Sequence, residues 1–89
     1  MAYVYIVICC DDTLYTGWTT DIKRRLYEHN YSKKGAKYTR GRRPVKLVFM
    51  KAFSSKIDAQ KEEYLIKNLN RRDKLILINS SLNEINKIL

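Results

Sequence analysis

The pattern of apolar and polar residues predicts a short β-sheet followed by helices. Residues 3–10, YVYIVICC, are apolar on both faces and rich in β-branched and aromatic side chains, which is typical of a central strand covered on both sides. Asp11 and Asp12 favour a turn, and residues 13–18 then return as the second strand of a hairpin. Gly17 interrupts that strand, which indicates either a bulge or a place where another backbone or a phosphate comes close.

A helix is predicted after the hairpin, from about Asp21 to Asn30, with Thr19, Thr20 and Asp21 as candidate N-caps. Positions i, i+3, i+4 and i+7 form its inward stripe, which holds two aliphatic and two polar residues: Ile22, Leu26, Arg25 and His29. The stripe places an arginine and a histidine at the edge of the core. Taken singly, Arg25 would be an exposed cation and His29 a helix-end group favoured by the helix dipole.

The middle of the chain is strongly basic. Between Asn30 and Ile57 there is no acidic residue, and this span holds nine of the 18 lysines and arginines. Residues 35–44, GAKYTRGRRP, contain loop-forming glycines and a proline, so a basic loop with an aromatic residue is predicted. Such a loop neutralises phosphates and offers a stacking surface; the alternative is a solvated loop. The candidate nucleic-acid-binding residues are Gly17, Lys37, Tyr38, Arg40, Arg42 and Arg43.

A third strand is predicted over residues 45–53, with four apolar residues on one side: Val45, Leu47, Phe49 and Phe53. Ser54 or Ser55 then caps a helix that runs to about Asn70. The inward stripe of this helix consists of Ala59, Glu63, Ile66 and Asn70. Periodicity does not choose between Glu62 and Glu63 as the acidic residue of interest, and Glu63 taken alone would be an i, i+4 partner for Lys67.

The C-terminal part continues with short helices. LILI at residues 75–78 is predicted to be helical, with a strand as the alternative, and a last helical turn or two is expected from Leu82 to Leu89 with Ile85 in phase. The order β-β-α-β-α-α predicts an α+β fold with a three-stranded antiparallel sheet flanked by helices. At 89 residues one domain is expected, with residues 1–80 as its body and residues 81–89 as a helical turn packed on it.

Composition narrows the class of protein. The net charge of +9 on 89 residues favours a polyanionic partner, with nucleic acid ahead of a membrane; the alternative is a basic surface that only aids solubility. No membrane span and no secretory signal is predicted. Cys9 and Cys10 are adjacent in a strand and point to opposite faces, so two buried free thiols in a reducing cytoplasm are expected. They do not suffice for a zinc site.

With these residues in place, the sequence resembles the GIY-YIG nuclease superfamily over roughly residues 3 to 78, most closely its small stand-alone bacterial members. The first signature element is YVY at residues 3–5 and the second is YTG at residues 15–17. Residues 16–30, TGWTTDIKRRLYEHN, match the glycine, helix cap, arginine and histidine of the family at Gly17, Asp21, Arg25 and His29.

The later elements also match. Residues 35–48 resemble the loop and third strand of the stand-alone subgroup, and residues 58–67, DAQKEEYLIK, match its alanine, glutamate and Ile-Lys pattern. This alignment selects Glu63 over Glu62. Two positions depart from the family: Tyr3 stands in place of its first glycine, and Thr16 in place of an aliphatic residue.

The resemblance implies a metal-dependent endonuclease that hydrolyses phosphodiester bonds in nucleic acid. DNA is the favoured substrate, and the enzyme is expected to be of the repair or recombination type. It implies Tyr5 as the general base or water-orienting group, Arg25 as the phosphate ligand, and Glu63 as the ligand of Mg²⁺ or Mn²⁺. The catalytic residues implied are Tyr5, Tyr15, Arg25, His29 and Glu63.

Two other classes stay open. One is a non-catalytic nucleic-acid-binding module with a nuclease-like fold, since a fold does not by itself supply activity. Few residues lie outside the core, so a protein partner that supplies substrate specificity is also an expectation. The other class is a small interaction protein whose surface is merely basic.

Overall fold

The sheet has its first strand in the middle. A computed structural model describes residues 1–88, and in it β1 (Ala2–Ile8) lies between β2 (Leu14–Thr19) and β3 (Lys46–Phe53), antiparallel to both. The apolar run at the start of the chain therefore forms the central strand, as its two-sided pattern predicts. The α+β class and the three-stranded antiparallel sheet are confirmed.

Helices cover both faces of this sheet. They are α1 (Ile22–Tyr31), α2 (Lys37–Arg40), α3 (Lys56–Lys67), α4 (Arg71–Ile78) and α5 (Ile85–Ile88). The alternative of a strand at residues 75–78 is excluded by α4. The prediction of a loop throughout residues 35–44 was wrong at α2, a single helical turn that begins at Lys37.

The core divides into two clusters because alternate residues of β1 point to opposite faces. On one face, Val4, Ile6 and Phe49 pack against Ala59 and Ile66 of α3. On the other face, β1 and β3 pack against α1, in a cluster formed by Tyr5, Val7, Cys9, Ile22, Val45 and Met50. Tyr5 thus belongs to the α1 face of the sheet.

A β-bulge in β3 changes which face of the sheet its residues point to. Ile6 pairs with Phe49 and Val7 with Leu47, so Val48 is an extra residue without a partner on β1. The expectation that four apolar residues of β3 share one side was therefore wrong: Val45 and Leu47 pack on the Tyr5 face, and Phe49 and Phe53 on the α3 face.

The hairpin turn leaves both cysteines beyond the end of β1. Asp12 takes a left-handed conformation with φ of 65°, which aspartate tolerates better than most residues, and its N–H donates to the Cys9 carbonyl over 2.9 Å. Cys9 is buried, Cys10 is exposed, and both are free thiols. The prediction of two buried thiols was wrong for Cys10, since the strand ends at Ile8.

Side-chain caps begin three helices. Asp21 accepts from the Arg24 N–H over 3.1 Å at the start of α1, and Ser55 accepts from the Asp58 N–H over 3.1 Å at the start of α3. Asn70 was expected on the inward stripe of α3, but α3 ends at Lys67. Asn70 is instead the exposed N-cap of α4.

The C-terminal segment is held by polar contacts to β3. Asn83 accepts from the Met50 N–H and donates to the Val48 carbonyl, while Glu84 accepts from the Ala52 N–H over 2.8 Å. The helical turn begins at Ile85, and Leu82 is outside it and 52% exposed. Leu89, which was expected in phase with Leu82, lies outside the described residues. Among the described residues, no helix is both long and apolar enough to cross a bilayer.

Candidate active site

A buried hydrogen bond joins β1 to α1 at the centre of the candidate site. Tyr5 is 1% exposed and His29 is fully buried. The hydroxyl of Tyr5 lies 2.6 Å from Nε2 of His29. Two of the predicted site residues are therefore in direct contact, because the inward stripe of α1 packs on the Tyr5 face of the sheet.

The second nitrogen of His29 is also engaged. Nδ1 lies 2.9 Å from Oγ1 of Thr39, and Thr39, which is fully buried in α2, donates from the same oxygen to the carbonyl of Ala36 over 3.0 Å. Burial, followed by the charge of Arg25, lowers the pKa of His29 to about 4, while Glu28 opposes the shift. The imidazole is thus neutral near pH 7.

The charges of three other predicted site residues act on the hydroxyl of Tyr5. Burial raises the pKa of Tyr5 to about 12; the guanidinium of Arg25 opposes this shift, and Tyr15 and Glu63 add to it. Groups from β1, β2, α1 and α3 therefore share one electrostatic environment. The ring of Tyr15 also packs edge-on against His29, with 5.4 Å between ring centroids.

Arg25 is oriented by acceptors on one side. Its Nη1 donates over 2.9 Å to Oε1 of Glu28 and over 2.9 Å to the carbonyl of Lys34. Burial disfavours the charged form of Arg25, but the bonds to Glu28 and Tyr5 outweigh burial, so the pKa of Arg25 is raised. Arg25 is neither a freely exposed cation nor fully buried, since 24% of its side chain is accessible.

Gly17 is a glycine because of Tyr5. The two residues are register partners across β1 and β2, and a Cβ at Gly17 would lie 2.5 Å from the Tyr5 hydroxyl oxygen. The regular pairing of β1 and β2 excludes the predicted bulge at Gly17, and the phenol ring fills the space above it. The approach of another backbone or a phosphate stays a prediction.

A stack of side chains covers Tyr15 beside the site. The ring of Tyr38, on α2, stacks on the ring of Tyr15 with 5.8 Å between their centroids and 23° between their planes. The guanidinium carbon of Arg42 lies 4.1 Å from the centroid of the Tyr38 ring. Asp11 accepts from Arg42 over 3.0 Å and fixes it there. Tyr38 and Arg42, both predicted to bind nucleic acid, thus make internal contacts while staying partly exposed.

Arg43 is committed to the scaffold. Its guanidinium donates to the carbonyls of His29, Glu28 and Ser32 at the end of α1. The Glu28 and Ser32 carbonyls also accept from the backbone N–H groups of Ser32 and Gly35. Gly35 fits beside it, because a Cβ there would lie 2.6 Å from the Glu28 carbonyl. The other two predicted cations of the segment, Lys37 and Arg40, are exposed.

Glu63 is the acidic residue of α3 that the family resemblance selects. Its side chain is 19% exposed, and Oε2 lies 3.6 Å from the ammonium of Lys67, the i, i+4 pair expected from the sequence. Of the two adjacent glutamates, it is Glu63 whose charge acts on Tyr5. The described residues contain no group of three or more His, Cys, Asp or Glu side chains arranged around one point, so the protein offers a metal at Glu63 no more than two such ligands.

A single carboxylate fits one class of metal. Mg²⁺ keeps several waters and is bound in many phosphate-processing sites by one or two carboxylates together with substrate oxygens. Glu63 meets this requirement, and its contact with an ammonium shows that a cation is accommodated beside it. Mn²⁺ takes the same oxygen donors.

Sequence reasoning missed two residues of the site. Glu28 lies i+3 from Arg25, a spacing at which opposite charges pair, so a signal for this contact was present. Thr39 carried no signal, because its contact with His29 depends on the helical turn of α2.

These observations define a protein with a nuclease-type fold. The model of the GIY-YIG catalytic domain matches residues 1–75, and the chain belongs to the GIY-YIG family, which confirms the resemblance seen in the sequence. It is similar to a UPF0213 protein of Clostridium perfringens, 55% identical over 80 residues that cover 90% of this chain and 85% of the relative. A UPF0213 protein of Streptococcus agalactiae is 54% identical over 93% of each chain.

Two solved structures are similar as well. The solution NMR structure of the UPF0213 protein BH0048 from Bacillus halodurans superposes with a TM-score of 0.59 at 51% identity, covering 92% of this chain and 87% of the other. The solution NMR structure of protein EF2693 from E. faecalis gives a TM-score of 0.56 at 43% identity, over 81% and 76% of the two chains.

Proposed function

We propose that this protein is a metal-dependent endonuclease that hydrolyses phosphodiester bonds in DNA. The observation that carries the proposal is the environment of the Tyr5 hydroxyl. It is bonded to His29 over 2.6 Å and influenced by Arg25, Tyr15 and Glu63 from three other elements. A phenol bonded to a neutral imidazole, with a guanidinium and a carboxylate whose charges act on it, supplies the groups that phosphodiester hydrolysis needs.

Tyr5 acts through proton transfer rather than as a resting anion. With its pKa raised to about 12, the phenol stays protonated at neutral pH, and the neutral His29 beside it is the acceptor for its proton. As the water oxygen bonds to phosphorus, one water proton passes to the Tyr5 oxygen while the phenol proton passes to Nε2 of His29. The bond from phosphorus to the leaving oxygen breaks, that oxygen takes up a proton from solvent, and His29 later releases its own.

Arg25 stabilises the charge that develops on the phosphoryl oxygens. Its guanidinium is planar and matches phosphate geometry, and Glu28 together with the Lys34 carbonyl holds Nη1. A guanidinium has five N–H donors, so further N–H groups of Arg25 remain for Tyr5 and for substrate. Because the acceptors hold the side chain before substrate arrives, little ordering is required on binding.

Glu63 is the residue that would hold a divalent cation. When bound, Mg²⁺ or Mn²⁺ polarises a phosphoryl oxygen as a Lewis acid. In the absence of metal, the Glu63 carboxylate is neutralised by Lys67. The protein contribution is one half-buried oxygen ligand on a rigid helix.

The exposed cations Lys37 and Arg40 hold the nucleic acid beside the site through its phosphates. Such contacts set position and affinity without reading sequence. The net charge of +9 gives a long-range attraction to the polyanion. Selection of a particular DNA structure then falls to a partner protein or to the shape of the substrate.

Metal-dependent nicking tests the proposal. Supercoiled plasmid and a branched DNA substrate are incubated with pure protein and Mg²⁺ or Mn²⁺. Glu63→Gln and Arg25→Ala are expected to abolish cleavage, whereas the neighbouring variants Glu62→Gln and Arg24→Ala are expected to retain it. These neighbours match each test variant in charge and helix while lying one position away.

Equal activity in all four variants would indicate a contaminating nuclease and reject the assignment. Salt-dependent DNA binding without cleavage under any divalent metal would also reject it, and would instead support the non-catalytic binding module. Faster cleavage of RNA than of DNA would support the proposed hydrolysis of phosphodiester bonds but would make RNA the substrate.

A further inference from the structure

Thr39 is the residue that the proposed mechanism leaves unexplained. It is fully buried and belongs to α2, outside the two tyrosine-containing signature elements at residues 3–5 and 15–17. Its hydroxyl oxygen lies between two polar groups, the carbonyl of Ala36 at 3.0 Å and Nδ1 of His29 at 2.9 Å. A buried hydroxyl that bridges a loop carbonyl and a candidate proton acceptor can determine which proton that acceptor carries.

The direction of each bond follows from counting hydrogens. The Ala36 carbonyl only accepts, and it also accepts from the backbone N–H groups of Thr39 and Arg40. Two oxygens 3.0 Å apart repel each other unless a hydrogen lies between them, so the one hydrogen of the Thr39 hydroxyl is used toward Ala36. Toward His29 the same oxygen must then accept, which requires that Nδ1 carry the imidazole hydrogen. The lone pair of the neutral ring is left on Nε2, and Nε2 is the atom that faces the Tyr5 hydroxyl at 2.6 Å.

We propose that Thr39 is a positioning residue that fixes His29 as the Nδ1–H tautomer, and thereby makes Nε2 the acceptor of the Tyr5 proton. This inference rests on the proposed function for its catalytic consequence, and on geometry alone for the tautomer. With the opposite tautomer, Nε2–H would donate to the Tyr5 oxygen, and the phenol proton would have no acceptor on His29.

Fixing the tautomer also fixes the ring. Both nitrogens have partners, Tyr15 packs edge-on at 5.4 Å, and the His29 carbonyl accepts from Arg43 over 2.6 Å. Rotation of the ring by half a turn would exchange its carbon and nitrogen positions and break both bonds. Residues 35–44 thus contact His29 in two ways, through the Thr39 hydroxyl on its ring and through Arg43 on its carbonyl.

The test uses the fact that the chain contains one histidine. Long-range proton–nitrogen correlation spectra of uniformly labelled protein report which imidazole nitrogen carries the proton, with no overlap from other residues. Near pH 7, wild type and Thr39→Ser are expected to show Nδ1–H, and Thr39→Val is expected to shift toward Nε2–H. In the nicking assay, Thr39→Val is expected to lower the turnover rate roughly ten-fold, the equivalent of one buried hydrogen bond, with KM unchanged and Thr39→Ser restoring the rate.

Each outcome decides a separate point. An Nε2–H signal in wild type overturns the inference, whatever the activity. A Thr39→Val protein that keeps both the Nδ1–H signal and the wild-type rate also overturns it. If wild type has no nuclease activity, the proposed function fails, but the nitrogen signals of wild type and the two variants still establish or refute the tautomer assignment.

Discussion

Tyr5 and Gly17 lie opposite each other in neighbouring strands, and the phenol of Tyr5 occupies the space that a side chain at Gly17 would need. The glycine is therefore part of the mechanism by which β2 holds the hydroxyl against His29. This relationship links a backbone position on one strand to the proton path that starts on another, and it leads to the first prediction.

Gly17→Ala is expected to displace Tyr5 from His29. A Cβ would lie 2.5 Å from the hydroxyl oxygen and 2.7 Å from the adjacent ring carbon, so the ring must move and its bond to Nε2 is lost. Thermal or urea unfolding is expected to show a loss of about 1–3 kcal/mol, together with a loss of nicking activity.

Gly41→Ala is the matched control, because a Cβ at Gly41 meets no atom within 4 Å and its φ of −87° suits an ordinary residue. Its stability is expected to change by less than ~0.5 kcal/mol. Similar losses in the two variants would contradict the role assigned to Gly17.

Stability is expected to fall between about pH 6.5 and pH 4 because of His29. The imidazole titrates near 6.5 in an unfolded chain and its pKa is lowered to about 4 in the folded protein, so the unfolded state binds the proton first as pH falls. The contribution of the neutral His29 to the free energy of unfolding is fully present above pH 6.5, and about 3 kcal/mol is lost as pH falls through the folded pKa. Chemical denaturation at a series of pH values measures it.

His29→Gln is the comparison for this experiment, since it removes the titrating group while the carboxylates remain. The difference between the wild-type and variant stabilities is expected to shrink as pH falls through this window. Parallel curves would show that His29 is protonated to the same extent in both states.

Thr16→Val is expected to stabilise the protein by about 1 kcal/mol. The hydroxyl of Thr16 is buried and has no hydrogen-bond partner within the described residues, and an unpaired buried hydroxyl is unfavourable. Valine has nearly the same shape and is β-branched, which suits a strand. The free energy of unfolding from urea titration is the measurement.

Thr19→Val provides the contrast, because the Thr19 hydroxyl accepts from the Asp21 N–H over 3.1 Å next to the N-cap of α1. This variant is expected to lose about 1 kcal/mol. If both threonine variants change stability in the same direction, the hydroxyl of Thr16 has a partner that the contacts do not show.

Two sets of cations in the basic segment are expected to affect different properties, one set DNA binding and the other stability. Replacing Lys37 and Arg40 with glutamine is expected to weaken DNA binding and to lower the slope of log K against log salt by about 2, with little change in stability. Arg43→Gln is expected to lower stability by about 2 kcal/mol, because the bonds that its guanidinium donates to the carbonyls of His29, Glu28 and Ser32 are lost.

Fluorescence anisotropy at several salt concentrations measures the slope, and Lys56→Gln with Lys61→Gln, two exposed cations of α3, is the control of equal charge. An equal loss of slope in this control would mean that net charge alone, without a defined surface, attracts the DNA.

The sequence predicted those features that depend on local periodicity. The two-sided apolar run placed β1 in the centre, and the stripe of α1 placed Arg25 and His29 at the edge of the core. The adjacent glutamates Glu62 and Glu63 were not separable by period, because residues one position apart on a helix both lie near its stripe.

The features that were not predicted depend on contacts between distant segments. The bulge at Val48 follows from packing on both faces of β3, which a regular alternation does not reveal. Arg43 looked like the other cations of its segment, but its position next to the end of α1 gave it three backbone acceptors. Thr39 reached His29 only because α2 forms a helical turn.

The burial of the single histidine has a consequence for experiments on this protein. An imidazole that stays neutral down to about pH 4 adds no positive charge as a solution is moderately acidified. The attraction of the surface for polyphosphate should accordingly gain nothing from this group over that range. At pH values where denaturation shows that the protein remains folded, a change in cleavage rate with pH at constant DNA occupancy would then report events at the scissile bond.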